Sequence, residues 1–141
     1  MQTALLDSSV YISALRSRDA AAALDELTLE IVLWLSAVVL QELYAGTRGR
    51  HLEVVERWAR EFNQAGRILA PNISDWIHAG KVLRRLADKY DYEKIGRGRL
   101  TNDALIAMSA ARTGITIITA NARDFRRLAE FRDFQWQLAP V

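Results

Sequence analysis

The chain has 141 residues and no cysteine, which excludes a disulfide framework and any thiolate metal site and makes a reducing, cytoplasmic setting the expected one. Its two histidines, His51 and His78, are not paired at ligand spacing, so neither reads as part of a zinc centre. No apolar run approaches the ~20 residues needed to cross a membrane. The most apolar stretch, Ile31 to Thr47, is broken by Ser36, Gln41 and Glu42. The N-terminus, MQTALLDSSV, meets Asp7 after a short apolar run with no basic residue before it, so no secretory signal is expected. No linker, internal repeat or low-complexity segment divides the chain, and one domain spanning 1–141 is expected, long enough to bury a core without staples.

Half of the residues are apolar, and their patterning alternates between strand and helix. Thr3-Ala4-Leu5-Leu6 reads as a buried first strand, with Ser8 or Ser9 capping a helix through Leu15. Asp19 to Leu29 reads as a helix, Ile31 to Leu35 as a strand buried on both faces, and Ser36 as the cap of a helix that stops at Gly46. Arg50 to Gln64 carries Leu52, Val55, Trp58, Ala59 and Phe62 on one stripe, Arg67 to Ala70 is a short edge strand ended by Pro71, and Ser74 caps a long helix to Tyr90. The tract Asp91 to Arg99, with Gly96 and Gly98 among charges, reads as a mobile loop. Asp103 opens an apolar helix that Thr113-Gly114 ends. The β-branched run Ile115 to Ile118 is a strand, Phe125 to Phe131 a short helix and Phe134 to Leu138 a last strand. Strands alternating with helices predict an α/β fold, a mostly parallel sheet covered on both faces, with the strand C-termini sharing one rim.

Carboxylates gather toward that rim. Asp7 ends the first strand, Glu42 is the only charge between Ile31 and Thr47 and shares a helix face with Val38, Val39 and Ala45, and Asp103 begins a helix with no further charge before Arg112. Converging acids without an interposed Lys or His repel, so they must take up protons or bind cations. Hard oxygen donors suit Mg²⁺ or Mn²⁺. The net charge is +2 and the pI about 9.2. Lys94, Arg97 and Arg99 on one side of Asp103, and Arg123, Arg126 and Arg127 on the other, form basic clusters flanking the acids. An acidic cation pocket inside a basic rim is what phosphodiester hydrolysis requires, with Arg97, Arg99 and Arg123 the candidates for holding the flanking phosphates. A phosphoacceptor receiver domain also uses an acidic Mg²⁺ pocket, but that design wants a lysine on a late strand, and Ile115 to Leu138 contains none.

Asp7-Ser8-Ser9-Val10 after a short strand, Ser36 followed by Glu42 in SAVVLQELYAG, Asp103 in LTNDALIAMSAARTG, and TANARDF together resemble the PIN-domain ribonucleases, in particular the VapC toxins of type II toxin–antitoxin pairs. The resemblance covers essentially the whole chain. It implies a PIN-like three-layer α/β/α fold and an Mg²⁺- or Mn²⁺-dependent endoribonuclease, with Asp7, Glu42 and Asp103 as metal ligands and catalytic acids. Ser9 and Thr119 match positions where small polar side chains assist the site. Many family members carry a fourth acid where this chain has Asn121, with Asp124 three residues further on, so a second metal subsite would be weak or lean on Asp124. The departure at Asn121 keeps open a non-catalytic nucleic-acid-binding or regulatory module of the same fold. The resemblance further implies an RNA substrate (often tRNA or ribosomal RNA), a cognate antitoxin whose C-terminal segment occludes the pocket, a homodimer, and operator DNA bound only through that antitoxin.

Overall fold

The structure, a computed structural model, describes residues 1–91 and 99–140, without the side chain of Arg99. In chain order its elements are β1 (Gln2–Leu6), α1 (Ser8–Leu15), α2 (Ala20–Leu27), β2 (Ile31–Ser36), α3 (Ala37–Gly46), α4 (Arg50–Gln64) and β3 (Ile68–Leu69). They are followed by α5 (Ile73–Tyr90), α6 (Arg99–Thr113), β4 (Thr116–Thr119), α7 (Ala122–Leu128) and β5 (Trp136–Leu138). The strands form one sheet in the order β3-β2-β1-β4-β5, and every described pairing is parallel. The expected parallel α/β sheet is what the chain builds. The expected mobile loop falls on residues 92–98, which lie outside the described residues.

The strand order explains where a site can form. The chain winds outward from β1 through β2 to β3, then crosses back to β4 on the other side of β1 and ends at β5. With crossovers of the usual right hand, the helices of the first half cover one face and those of the second half the other. The helix contacts agree: α1 packs on α2 and α3, and α3 on α4, while α5 packs on α6 and α7. The winding reverses between β1 and β4, and at such a reversal an open parallel sheet leaves a crevice outside the strand C-terminal ends. Leu6 pairs with Ile118 at that edge, and the Asp7 N–H donates to the Ile118 carbonyl at 3.0 Å.

Burial follows chemistry. All four residues of β4 are buried, as are Leu5, Leu35, Ile106 and Phe125 around it. Gly114 sits at φ +73, a left-handed conformation that closes α6 and lets the chain enter β4 directly.

Two helix starts differ from expectation. At α5 the cap is Asn72 rather than Ser74. The Asn72 side chain accepts from the Asp75 N–H at 2.9 Å while the Asp75 carboxylate accepts from the Asn72 N–H at 3.0 Å, a reciprocal box that satisfies two amides where Ser74 could satisfy one. At α1 the cap position is Asp7 rather than a serine, yet its carboxylate makes no capping bond, because other donors hold it.

Candidate active site

Asp7 is 4% exposed at the end of β1. Its Oδ1 accepts from the Ser9 hydroxyl and its Oδ2 from the Thr119 hydroxyl at 2.6 Å, the latter across the β1–β4 crevice. Each hydroxyl is aimed by a backbone amide: the Ala120 N–H donates to Ser9 Oγ at 3.1 Å, and the Asn121 N–H to Thr119 Oγ1 at 2.8 Å. A hydroxyl that accepts from an amide is polarised to donate more strongly, so the loop after β4 orients Asp7 through two relays. Burial raises the Asp7 carboxyl above the usual range. The Ser9 and Thr119 hydroxyls, and the Val10 and Ser9 amides at the open end of α1, oppose that rise. Ser9 and Thr119, the two small polar residues singled out in the sequence, both bond the Asp7 carboxylate.

Glu42 comes to the same place from α3, which Ser36 starts by accepting from the Val38 N–H at 3.2 Å. Val38 and Val39 turn into the core and leave Glu42 half-buried. Burial raises its carboxyl. The Asn102 side chain lowers it, the Asp7 charge raises it and the Ser8 side chain lowers it. Two acids therefore feel each other directly, and Glu42 Oε1 is buried with no hydrogen-bond partner among the described residues. Asn102 and Ser8 are site residues that the sequence reading missed. Both adjoin an expected acid, but only the packing of α3 on α6 and α1 shows that they face Glu42.

Asp103 follows Asn102 and is half-buried. It lies in the second turn of α6 rather than opening it, because the helix begins one turn earlier at Arg99. Asn121 precedes α7, and its side-chain amide donates to the Asp124 carboxylate at 2.9 Å. Helix α7 starts at Ala122 rather than near Phe125, so Asp124 lies inside its first turn, where the helix dipole favours a negative charge. Arg123 is exposed beside it, Arg97 lies outside the described residues, and of Arg99 only the backbone is described.

The fold thus brings Asp7 and Glu42 together, with Ser8, Ser9, Asn102 and Thr119 around them. Among the described residues no three acidic or imidazole groups stand as a ready-made cation cage. The donors nevertheless fit a hard divalent cation. They are all oxygens, two carboxyls are pushed up by burial, and a buried Glu42 oxygen has no donor. A cation of oxygen preference would satisfy that oxygen and offset both like charges.

No curated protein matches the chain by sequence. By structure it is similar to a DNA-bound VapBC from Salmonella typhimurium, with a TM-score of 0.70 and 23% identity over 98% of both chains. It is also similar to VapBC-1 from nontypeable Haemophilus influenzae, with 0.67 and 24% over 96% of this chain and 97% of that one. FitAcB from Neisseria gonorrhoeae follows, with 0.59 and 25% over 94% of each. The model of the PIN domain matches residues 4–131, a span that runs from within β1 to beyond α7 and holds Asp7, Glu42, Asp103 and Thr119, and the chain belongs to the PIN-domain family.

Proposed function

We propose that this PIN domain is a VapC-type toxin that hydrolyses RNA phosphodiester bonds with the help of Mg²⁺ or Mn²⁺. The observation that carries the reading is the pairing of buried Asp7 with half-buried Glu42, whose Oε1 is buried without a hydrogen-bond partner among the described residues. Asp7, Glu42 and Asp103 would hold the cation, with Asp124 a candidate for a second. When bound, such an ion supplies a water of lowered pKa and offsets charge on the phosphate. The chain's own groups do the positioning. Ser9 and Thr119 fix the Asp7 carboxylate in one orientation, and Asn102 and Ser8 steady Glu42. The similar structures are VapBC and FitAB complexes, which supports a cognate antitoxin as partner; a homodimer, and DNA contact through the antitoxin alone, belong to the same proposal.

The test is cleavage of a 5′-labelled RNA in Mn²⁺ or Mg²⁺. The expected products carry a 5′-phosphate and a 3′-hydroxyl, since the attacking oxygen is a water's and not the RNA's 2′-hydroxyl, and Asp7→Asn abolishes them. A 2′,3′-cyclic phosphate, or cleavage that persists in excess EDTA, refutes the mechanism. Asn121, whose amide is spent on Asp124, favours a second reading as a non-catalytic RNA-binding module. RNA binding without turnover in either ion would establish it.

A further inference from the structure

Two adjoining hollows run from Glu42 across the outer face of α1 and α4. The first, about 400 Å³, is lined by Ile12, Leu15, Arg16, Glu42, Arg48 and His51 among others. The second, about 620 Å³, shares Leu15, Arg16 and His51 with the first and continues past Arg18, Arg50, Arg57 and Arg60. On α4 the three arginines recur at i, i+7 and i+10, so they form one stripe about 15 Å long at 1.5 Å per residue. All of these arginines are exposed. Glu53 is the one acid on the wall of the second hollow. Among the described residues the only ion pair that any of them makes is Arg57 with Glu61, an exposed pair at 3.8 Å that contributes little.

We propose that this groove is the track on which the unpaired RNA strand lies beside the scissile phosphate, with Arg16 and Arg48 next to Glu42 and the α4 stripe carrying the strand away. The proposal rests on the ribonuclease reading and adds the residues and direction of substrate binding. Charge complementarity selects the occupant. A wall of six arginines against the two acids Glu42 and Glu53 matches a polyanion, and at roughly 3.4 Å per stacked nucleotide the α4 stripe would follow about four phosphates. The apolar floor of the first hollow, Ile12 and Leu15, offers a surface for an unstacked base, which a duplex keeps inside its stack. The two hollows meet at Leu15, Arg16 and His51, so one strand can reach from the stripe to Glu42.

The experiment compares Arg50→Gln/Arg57→Gln/Arg60→Gln with Lys81→Gln/Arg84→Gln/Arg85→Gln, which removes equal charge from α5. Fluorescence anisotropy with a labelled single-stranded RNA of roughly 12 nucleotides, in EDTA, reads affinity across a salt series. The groove variant should bind about tenfold more weakly or worse and lose about 2 units of salt slope, at about 0.7 per phosphate contact. The α5 variant should stay close to wild type, and a blunt duplex should compete poorly. Equal loss in both variants overturns the track in favour of diffuse charge attraction, and equal competition by the duplex overturns the unpaired strand. Wild-type affinity in the groove variant overturns it in favour of a protein segment as occupant. Cleavage in Mn²⁺ separates the two readings: if wild type cleaves and the groove variant matches it in KM, the track fails alone. If wild type never cleaves while the groove variant loses binding, the ribonuclease reading fails alone.

Discussion

Glu42→Gln separates a cation site from an ordinary surface acid, because the two predict opposite signs. In the metal-free protein Glu42 is raised by burial and by the Asp7 charge, and its Oε1 lacks a donor. A buried unsatisfied polar atom costs about 1–3 kcal/mol, and the lower end applies because the residue is half-buried. Gln is nearly isosteric, removes the like charge and brings an amide donor for Asn102, Ser8 or Asp7 to use. The variant should therefore be more stable than wild type in EDTA by about 1 kcal/mol, or about 3 °C in Tm for a chain of this size. Saturating Mn²⁺ should reverse the order, since a site at 100 times its Kd gains about 2.7 kcal/mol that the variant largely forgoes. The pH dependence follows from the same two acids. Asp7 and Glu42 both have folded pKa values above their unfolded ones, so between those values the native state binds more protons and stability falls as pH rises. The metal-free wild type should gain stability as pH drops through the folded pKa values toward 4.5 and 3.8, and Glu42→Gln should flatten that gain. Thermal unfolding with and without Mn²⁺ across pH reads all three. A variant less stable than wild type in EDTA would refute the reasoning, because it would mean that the Glu42 charge is already satisfied by protein.

Three further outcomes are expected. Thr119→Val keeps the shape of a fully buried side chain but removes the 2.6 Å donor to Asp7 and the acceptor for the Asn121 N–H, so it should cost about 1–2 kcal/mol in urea unfolding and lower kcat with RNA affinity unchanged. Asn121→Asp places a second carboxylate against Asp124, so stability should fall in EDTA and recover in Mn²⁺, with tighter Mn²⁺ binding by calorimetry; equal binding would show that the position is not a ligand. Arg112→Met leaves the buried Asp75 carboxylate, which Arg112 meets at 3.0 Å, with only its capping amide, so the urea midpoint should fall by the equivalent of about 1–3 kcal/mol while cleavage of RNA per folded molecule stays the same.

What could be read from the chain alone was whatever is local along it. The β-branched run before Thr119 and the apolar run before Asp7 mark strands because a buried strand needs nothing else, and an acid that ends such a run must sit on the rim. Helix starts were less legible: Ser74 and Asn72 are both good caps, and only Asp75, three residues after Asn72, decides between them by returning the bond. Least legible was what two distant segments build together. Asn102 and Ser8 matter because α6 and α1 meet α3 at Glu42, and no spacing in the chain encodes that meeting. By the same limit, the arginines that stand out along the chain as phosphate-binding candidates are those flanking Asp103, namely Arg97, Arg99 and Arg123. Arg16 and Arg18 stand far in sequence from Arg50, Arg57 and Arg60, and join them only because α1 and α4 cover the same face of the sheet. A helical stripe of arginines is legible as a solvated face. It becomes a candidate substrate path only when the fold joins its hollow to one lined by Glu42, whose Oε1 has no hydrogen-bond partner among the described residues.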